Sequence, residues 1–511
     1  MANNQSNSKR IAKNTLILYF RMIFLMVISL YTSRVVLATL GVNDFGIYNV
    51  VGGFVSMFSV LRAGLISATQ RFITFELGRG DEKALKSTYS SSMQIYIMIS
   101  IIIVIAAESL GIWFIQNKMV IPTDRLFAAQ WVFQLSLLTL VIGLISNPQN
   151  ALIIAHEKMG AFAYISIYEA VAKLLIVYVL TIGGMDKLIL YAILMCLVQI
   201  SLRIIYGIYC KRNFEEAKFS FHIDWDRIKK IYGFTGWSMF GGLASIGFTQ
   251  GLNMLLNVFF NPAINAARGI SVQVQNVINH FATNFQTAIN PQIIKSYASN
   301  ELDYMYKLIF ASSKFSFYLI LFLALPVMME TEQILSLWLK EVPEYASIFF
   351  RLMIITTMID GISNPIMRSV DASGNIRNYQ LIVGGILLCI VPIAYIVLKL
   401  GGEPYTVFVV HIIMGLIAFA MRLRLANRLT GIPLGEYVNK VLVKVLLVSL
   451  IGIVCPLSIR IYFDPSFLRL IVCCLASVLS VGLGIITVGL EPNEKQMIKS
   501  KLKLKMGSHA K

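Results

Sequence analysis

Charge is what this sequence has least of: Asp, Glu, Lys and Arg together make up 14% of its 511 residues, whereas 57% are hydrophobic. No water-soluble core requires that much apolar surface, so a soluble globular chain is excluded and a membrane protein is expected. Histidine (five) and cysteine (six) are sparse too. Cys196, Cys210, Cys389, Cys455, Cys473 and Cys474 lie in or beside apolar runs without ligand or disulfide spacing, and read as small hydrophobes. There is no metal-ligand spacing, nucleophile–base arrangement or Gly-rich phosphate loop, which leaves no positive case for catalysis or for a bound cofactor. Carboxylates are also scarce relative to cations: 26 Asp and Glu stand against 44 Lys and Arg, a formal +18. In a soluble chain that balance would point to nucleic acid. Distributed among apolar runs it points instead to loop charges on one side of a membrane, with membrane lipids rather than nucleic acid as the partner.

What is abundant is the apolar run. A membrane span needs about 20 mostly apolar residues, and fourteen such runs are legible, at about 15–38, 46–75, 88–115, 126–155, 160–182, 187–210, 231–260, 264–294, 307–329, 345–369, 378–399, 404–429, 439–463 and 466–490. The first follows a polar, basic segment, exceeds a secretory h-region and has no Ala-x-Ala site behind it, so a retained helix is expected. An even count puts both termini on one side. Alternating the loops assigns roughly three of every four loop Lys and Arg to that side, including Lys211, Arg212, Lys218, Arg227, Lys229 and Lys230 in one segment, so both termini are expected to be cytoplasmic. The opposite loops are short, the longest running from about Glu330 to Glu344.

An internal repeat organises the runs. Ile145-Ser146-Asn147-Pro148 at the end of the fourth recurs as Ile362-Ser363-Asn364-Pro365 at the end of the tenth, and Ala68 to Lys83 aligns with Ala288 to Asp303 at a similar offset. Both matches relate span n to span n+6, which keeps orientation and describes a parallel six-helix repeat; read blandly, Asn-Pro merely marks two helix ends. The expected division is a cytoplasmic N-terminus at 1–14, an N-lobe of spans 1–6 at 15–210, a basic linker at 211–230, a C-lobe of spans 7–12 at 231–430, two extra spans at 431–490 and a basic tail at 491–511. The fold class is therefore an all-α integral membrane protein of about 14 transmembrane helices: two six-helix lobes in parallel pseudo-two-fold repeat, plus two C-terminal helices.

A charge at a helix centre costs roughly 2.5–3.5 kcal/mol on insertion scales and is a functional signal by default. The basic ones are Arg21, Arg62, Lys173, Arg203, Arg268 and Lys314; the acidic ones are Glu108, Glu169 and Asp360, leaving the interior net cationic. Arg21, Arg203 and Lys314 are close enough to the cytoplasmic end to snorkel. Glu169 and Lys173 have the favourable i, i+4 order of an intrahelical pair and serve either as structural glue or in an ion pathway. Arg62 is far from both interfaces, which argues for a hydrated interior. Asp360, beside Thr356, Thr357 and a Pro-loosened backbone, is suited either to binding a coupling H+ or Na+ or to pairing with an arginine. The eighth run is polar on one face at Asn265, Arg268, Gln275, Asn279, Thr283, Gln286 and Asn290, with Asn276, His280 and Asn284 widening the stripe. Lipid cannot face such a surface, so this helix is expected to line a water-filled cavity.

Fourteen spans, the repeat, the two extra helices and the polar eighth run together resemble the multidrug/oligosaccharidyl-lipid/polysaccharide (MOP) exporter superfamily. Local wording narrows this. Lys13-Asn14-Thr15, Ser33-Arg34-Val35-Val36-Leu37, Leu40-Gly41-Val42-Asn43-Asp44-Phe45-Gly46-Ile47-Tyr48-Asn49, Gly64-Leu65, Arg71-Phe72-Ile73 and Glu76-Leu77-Gly78-Arg79-Gly80-Asp81 are similar to the start of polysaccharide transporters of the Wzx O-antigen flippase type. The likeness is close over about the first 90 residues and one of topology and pattern beyond. It implies two lobes that carry undecaprenyl-pyrophosphate-linked oligosaccharide between the leaflets of a bacterial inner membrane, with polysaccharide polymerase machinery as a candidate partner. Related lipid II flippases turn arginines of helices one, two and eight toward a central cavity, which by helix position implies Arg21, Arg62 and Arg268 for the pyrophosphate. The amides of the eighth run and His280 would then meet the glycan. A cation-coupled drug antiporter of the same superfamily is the nearest rival; the first span lacks the acidic residue such proteins usually carry, and a cationic interior suits an anion. A membrane glycosyltransferase or O-antigen ligase handles the same lipid but would need a sizeable outward loop.

Overall fold

The structure is a computed structural model describing residues 2–57, 60–117, 123–182, 184–220, 224–260, 262–339, 342–492 and 494–495. Among these residues there is no β-strand. The helices are α1 (Ala2–Met57), α2 (Val60–Arg79), α3 (Glu82–Asn117), α4 (Leu126–Ala155), α5 (Met159–Ile182), α6 (Lys187–Asn213), α7 (Trp225–Phe259), α8 (Pro262–Ala298), α9 (Leu302–Met329) and the short α10 (Thr331–Trp338). They continue as α11 (Ala346–Ser373), α12 (Arg377–Leu388), α13 (Ile390–Lys399), α14 (Thr406–Thr430), α15 (Leu434–Tyr437), α16 (Val443–Tyr462) and α17 (Phe467–Gly484). Among the described residues, eleven helical stretches are long and apolar enough to cross a membrane. The far half of α1 with α2, together with α7 and α8, falls where the sequence placed three more polar crossings, at 46–75, 231–260 and 264–294.

Local chemistry sets several boundaries. α1 is two helices joined at Gly41, whose φ of 76° a residue with a Cβ would resist. Just past that turn Asp44 pairs with Arg125, which also meets Asp186 at 2.5 Å. Asp186 in turn caps α6 by accepting from the N–H groups of Leu188 and Ile189. One arginine thus fastens the starts of three helical segments. At the head of α7, Asp224 accepts from the backbone N–H of Arg227 at 3.1 Å and from Ser87 at 3.0 Å. The Arg227 N–H holds that carboxyl below its ordinary pKa, with Ser87 and the Arg227 guanidinium adding to the effect and partial burial opposing it.

The repeat is written in the backbone. α2 ends at Arg79 and α8 at Ala298; one and two residues later Gly80 and Asn300, 220 positions apart, both take the left-handed conformation. The turns after the proline-bearing helices α4 and α11 match as well: Glu157 (φ 58°) and Gly374 (φ 79°) lie 217 positions apart, the offset of the repeated Ile-Ser-Asn-Pro.

The chain divides into two compact units: Met1–Leu243 with Ala288–Leu302 and Gly374–Gln380, and Ala244–Thr287 with Asp303–Ser373 and Leu381–Lys511. The first is cored by Ile73, Tyr89, Leu152, Ile153 and Leu202, and by a second cluster around Val177 and Leu180. The second unit is cored by Phe248, Leu256, Phe349, Ile390 and Phe408. In it, α16 and α17 meet where Gly452 abuts Val481, and ion pairs fasten both ends: Arg469 with the buried Glu330 at 2.8 Å, Lys314 with Glu494 at 2.7 Å and Lys444 with Glu491 at 3.0 Å. Lys314 is buried in this pair, so the expectation that it snorkels is corrected. The outward faces of these helices, with Leu450, Val454, Leu475 and Leu479 exposed, suit hydrocarbon rather than water.

Candidate functional site

Two adjoining cavities lie inside the first unit. The larger, about 380 Å3, is lined by Tyr48 and Val55 of α1, Arg62 of α2, Asn147 and Asn150 of α4, Glu169 and Lys173 of α5, and Gln199 and Tyr206 of α6. The smaller, about 350 Å3, is bounded by Arg21, Ser29 and Thr32 of α1 and by Ser166, Glu169 and Lys173 of α5. Glu169 and Lys173 belong to both, so the charged pair is the partition between two chambers. The residues facing the smaller chamber on each helix lie opposite its apolar exposed stripe, which is Phe20, Ile23 and Val27 on α1 and Tyr164, Tyr168 and Leu175 on α5.

Within the chambers, Arg62 donates from Nη2 to the side-chain oxygen of Asn147 at 3.1 Å, and its buried Nε has no hydrogen-bond partner among the described residues. Arg21 lies over the Phe162 ring with its Cζ 4.3 Å from the centroid, and its Nε is likewise unpartnered. Lys173 meets Glu169 at 2.6 Å. Two arginines and a lysine against one carboxylate give the chambers an excess of positive charge. The Nδ2 of Asn147 and the Oδ1 of Asn150 also lack partners, which adds an amide donor and an acceptor to the guanidinium. The arrangement can hold an anion on Arg62 while Asn147 fixes the plane of its guanidinium.

No family model and no curated protein sequence matches the chain. Solved structures do. MATE in the bent conformation superposes with a TM-score of 0.69 at 14% identity, covering 83% of this chain and 96% of that one. An outward-facing multidrug resistance MATE family transporter of the MOP superfamily gives 0.69 at 13% identity, with 83% and 96% covered. A MOP superfamily transporter from Pyrococcus furiosus, described as having a binding pocket of reverse polarity that suggests a different function, gives 0.67 at 15%, with 83% and 96% covered. The chain has the MATE fold. At these identities the likeness shows the fold alone and leaves function and cargo to be read from the side chains.

In this MATE-fold chain the sequence-derived residues separate into groups. Arg21, Arg62, Glu169 and Lys173 converge on the two chambers. Arg268 belongs to the second unit, where it donates to the side chain of Asn253 at 3.2 Å and to the Thr249 carbonyl at 3.1 Å. Asp360, also there, makes no ion pair among the described residues. The polar stripe of α8 divides in two, which corrects the expectation of one cavity-lining face. Gln275 donates to Thr357 at 2.7 Å and to the Met353 carbonyl, and the buried Gln286 donates to Ser316 at 3.0 Å and to the Gly361 carbonyl. Gln275 is therefore taken up by α11, and Gln286 sits in a seam with α9 and α11. Asn276 and His280 are exposed, and Asn279 is half-buried. Asn290 falls in the part of α8 that belongs to the first unit, its Oδ1 unpartnered. The side chain of Asn265 lies outside the described residues. Arg203, another candidate for snorkelling, instead donates to Gln149 of α4.

Sequence reasoning missed Asn147, Asn150, Gln199 and Tyr206. The repeated tetrapeptide drew attention to Asn147, but as a helix-end marker. Its side chain is instead the hydrogen-bond partner of Arg62.

Proposed function

We propose that this protein is a flippase that moves a polyprenyl-pyrophosphate-linked oligosaccharide, of the undecaprenyl type, from the cytoplasmic to the periplasmic leaflet of a bacterial inner membrane, with both termini cytoplasmic. The observation that carries the reading is the pair of cationic chambers in the first unit, where Arg62 and Arg21 each keep an unpartnered guanidinium nitrogen and where, in the larger chamber, Asn147 and Asn150 add unpartnered amide groups to Arg62. The cargo has a pyrophosphate that needs cations, a glycan that needs amides, and a tail that stays in lipid. The local wording of the first 90 or so residues favours the same polysaccharide-exporting relatives. Arg268, Asn276, Asn279 and His280 are also assigned to cargo contacts, and Asp360 to ion coupling. Alternating access then exposes the chambers first to one leaflet and then to the other.

Deleting the gene in its native host tests the reading. Lipid-linked oligosaccharide accumulating in the cytoplasmic leaflet is the expected result. Loss of polymer without that accumulation would favour an enzyme, and an unchanged polymer with increased sensitivity to organic cations would favour the drug-antiporter reading.

A further inference from the structure

α2 and α8 are equivalent helices of the repeat, and their tips touch at equivalent positions. A Cβ placed on Gly78 would lie 2.8 Å from the Cβ of Ala298, 220 positions later, and 2.8 Å from both the Cα and the carbonyl oxygen of Lys295. Residues that meet their own counterparts lie on a two-fold axis, so the pseudo-axis of the repeat passes through this crossing. Only glycine at position 78 lets the two backbones approach so closely.

Each tip then docks into the turn that follows the proline-bearing helix of the other repeat. From α8, Gln292 and Lys295 donate to the carboxylate of Glu157 at 2.7 and 2.9 Å. Arg10 meets the same carboxylate at 3.0 Å, and Asn14 donates to the Glu157 carbonyl at 3.3 Å. The Glu157 side chain has no exposed surface, and Leu18, Met159 and Ala288 seal the crossing beneath it as a fully buried apolar plug. From α2, the Arg71 guanidinium occupies the space a Cβ on Gly374 would take, 2.7 Å from it, and is stacked on Phe72 and Phe75. Glu157 and Gly374 are themselves equivalent turns of the repeat. The two dockings match in position: one is a buried carboxylate collecting donors from α1 and α8, the other sets the Arg71 guanidinium against Gly374.

All of these groups belong to the first unit, whereas the rest of α8 belongs to the second, as do the bodies of the helices that flank Gly374–Gln380. We propose that this crossing is a latch that closes the first unit's chambers at the Glu157 end, and that every transport cycle requires it to part, with Glu157 as the group that holds and releases it. Hydrogen bonds to one carboxylate and a glycine-thin crossing can separate and re-form, because each released group is hydrated at a helix end. The proposal rests on the transporter fold and not on the identity of the cargo.

The test reads access rather than transport. A single cysteine replaces Thr139, a lining residue of the larger chamber, in a full-length chain whose six native cysteines are changed to alanine. Vesicles sorted by orientation are treated with a membrane-impermeant maleimide from the side where an N-terminal tag is digested. With the latch intact, labelling from that side is slow. Glu157→Gln, and Gly78→Leu as an independent wedge, are each expected to raise the rate about tenfold by populating the open state. Should Gly78→Leu fail to insert, Glu157→Gln carries the test alone. Equal rates in parent and Glu157→Gln would overturn the latch, whatever the cargo proves to be. Conversely, faster labelling in a chain that ignores pyrophosphate lipids would uphold the latch while removing the flippase reading.

Discussion

Arg62 donates to the side-chain oxygen of Asn147 at 3.1 Å, and Asn147 is the asparagine of a tetrapeptide that recurs at Ile362-Ser363-Asn364-Pro365. The position equivalent to Arg62 in the second repeat, 220 residues on, is Ala282, so this arginine–amide pair occurs in one repeat only. Asn147→Leu should therefore lower transport at least about tenfold while insertion stays normal, since a guanidinium without its orienting partner loses the hydrogen-bond geometry worth about 1.5–3 kcal/mol. Arg62→Lys should fail to restore it, because an ammonium cannot bond Asn147 and an anion with one rigid fork. Full transport by both variants, at wild-type abundance, would remove the pair from the mechanism.

Reversing the partition separates its two meanings. The Glu169→Lys, Lys173→Glu double variant keeps an i, i+4 pair and the net charge, and a half-exposed pair is worth only about 0.3–0.5 kcal/mol. Thermal stability in detergent should therefore match wild type while transport falls, because the carboxylate and the ammonium have exchanged places in the chamber wall. Unchanged transport would assign the pair to structure.

The α8 seam and its exposed residues should respond in opposite ways. Gln286→Leu leaves Ser316 and the Gly361 carbonyl without a buried partner and should cost about 1–3 kcal/mol, read as a lower Tm. His280→Ala should leave Tm within error and lower transport only. A Tm loss for His280→Ala as large as that for Gln286→Leu would contradict the division.

Breaking the buried Lys314–Glu494 pair with Glu494→Gln should destabilise the second unit by up to about 3–5 kcal/mol, because Lys314 is left without its partner in a buried site. Replacing both, Lys314→Met with Glu494→Leu, should recover most of the loss. If the double variant is less stable than the single, the pair's Coulombic attraction outweighs its desolvation and the expectation fails.

Asp224 links the first unit to pH. Its folded-state pKa is depressed, so the stabilisation it gives is complete above the unfolded carboxyl value near about 4 and disappears as pH falls through the lower folded value. Asp224→Ala, which removes a helix cap, should cost about 1 kcal/mol at pH 7. The Tm gap between variant and wild type should narrow as pH drops from about 5 to about 3; a gap that widens on acidification would reverse the assignment.

How much of this was legible in the sequence follows from the reach of each interaction. The spans were legible because hydrocarbon demands unbroken apolar runs, and the three crossings that fall short in hydropathy were still bracketed by turns and charge. Arg21, Arg62, Glu169 and Lys173 were legible because a charge inside such a run is conspicuous. The partners were not: Glu494 lies 180 positions from Lys314 and Asn147 lies 85 from Arg62. No local pattern announces such pairs. Helical periodicity grouped the polar residues of α8 on one face, but it could not say that α9 and α11 would take up Gln275 and Gln286 while leaving Asn276 and His280 exposed. The repeat was legible as two short matches; its left-handed turn residues and the contact of Gly78 with Ala298 needed the backbone.

The central claim is tested most directly by reconstituting the purified protein into liposomes with a polyprenyl-pyrophosphate-linked oligosaccharide and following the glycan's arrival at the opposite leaflet with a lectin or glycosidase confined to one side. The account predicts protein-dependent translocation that Arg62→Ala abolishes and that the same glycan on an uncharged lipid does not undergo. Translocation that is indifferent to Arg62, or equal for the uncharged lipid, would contradict it.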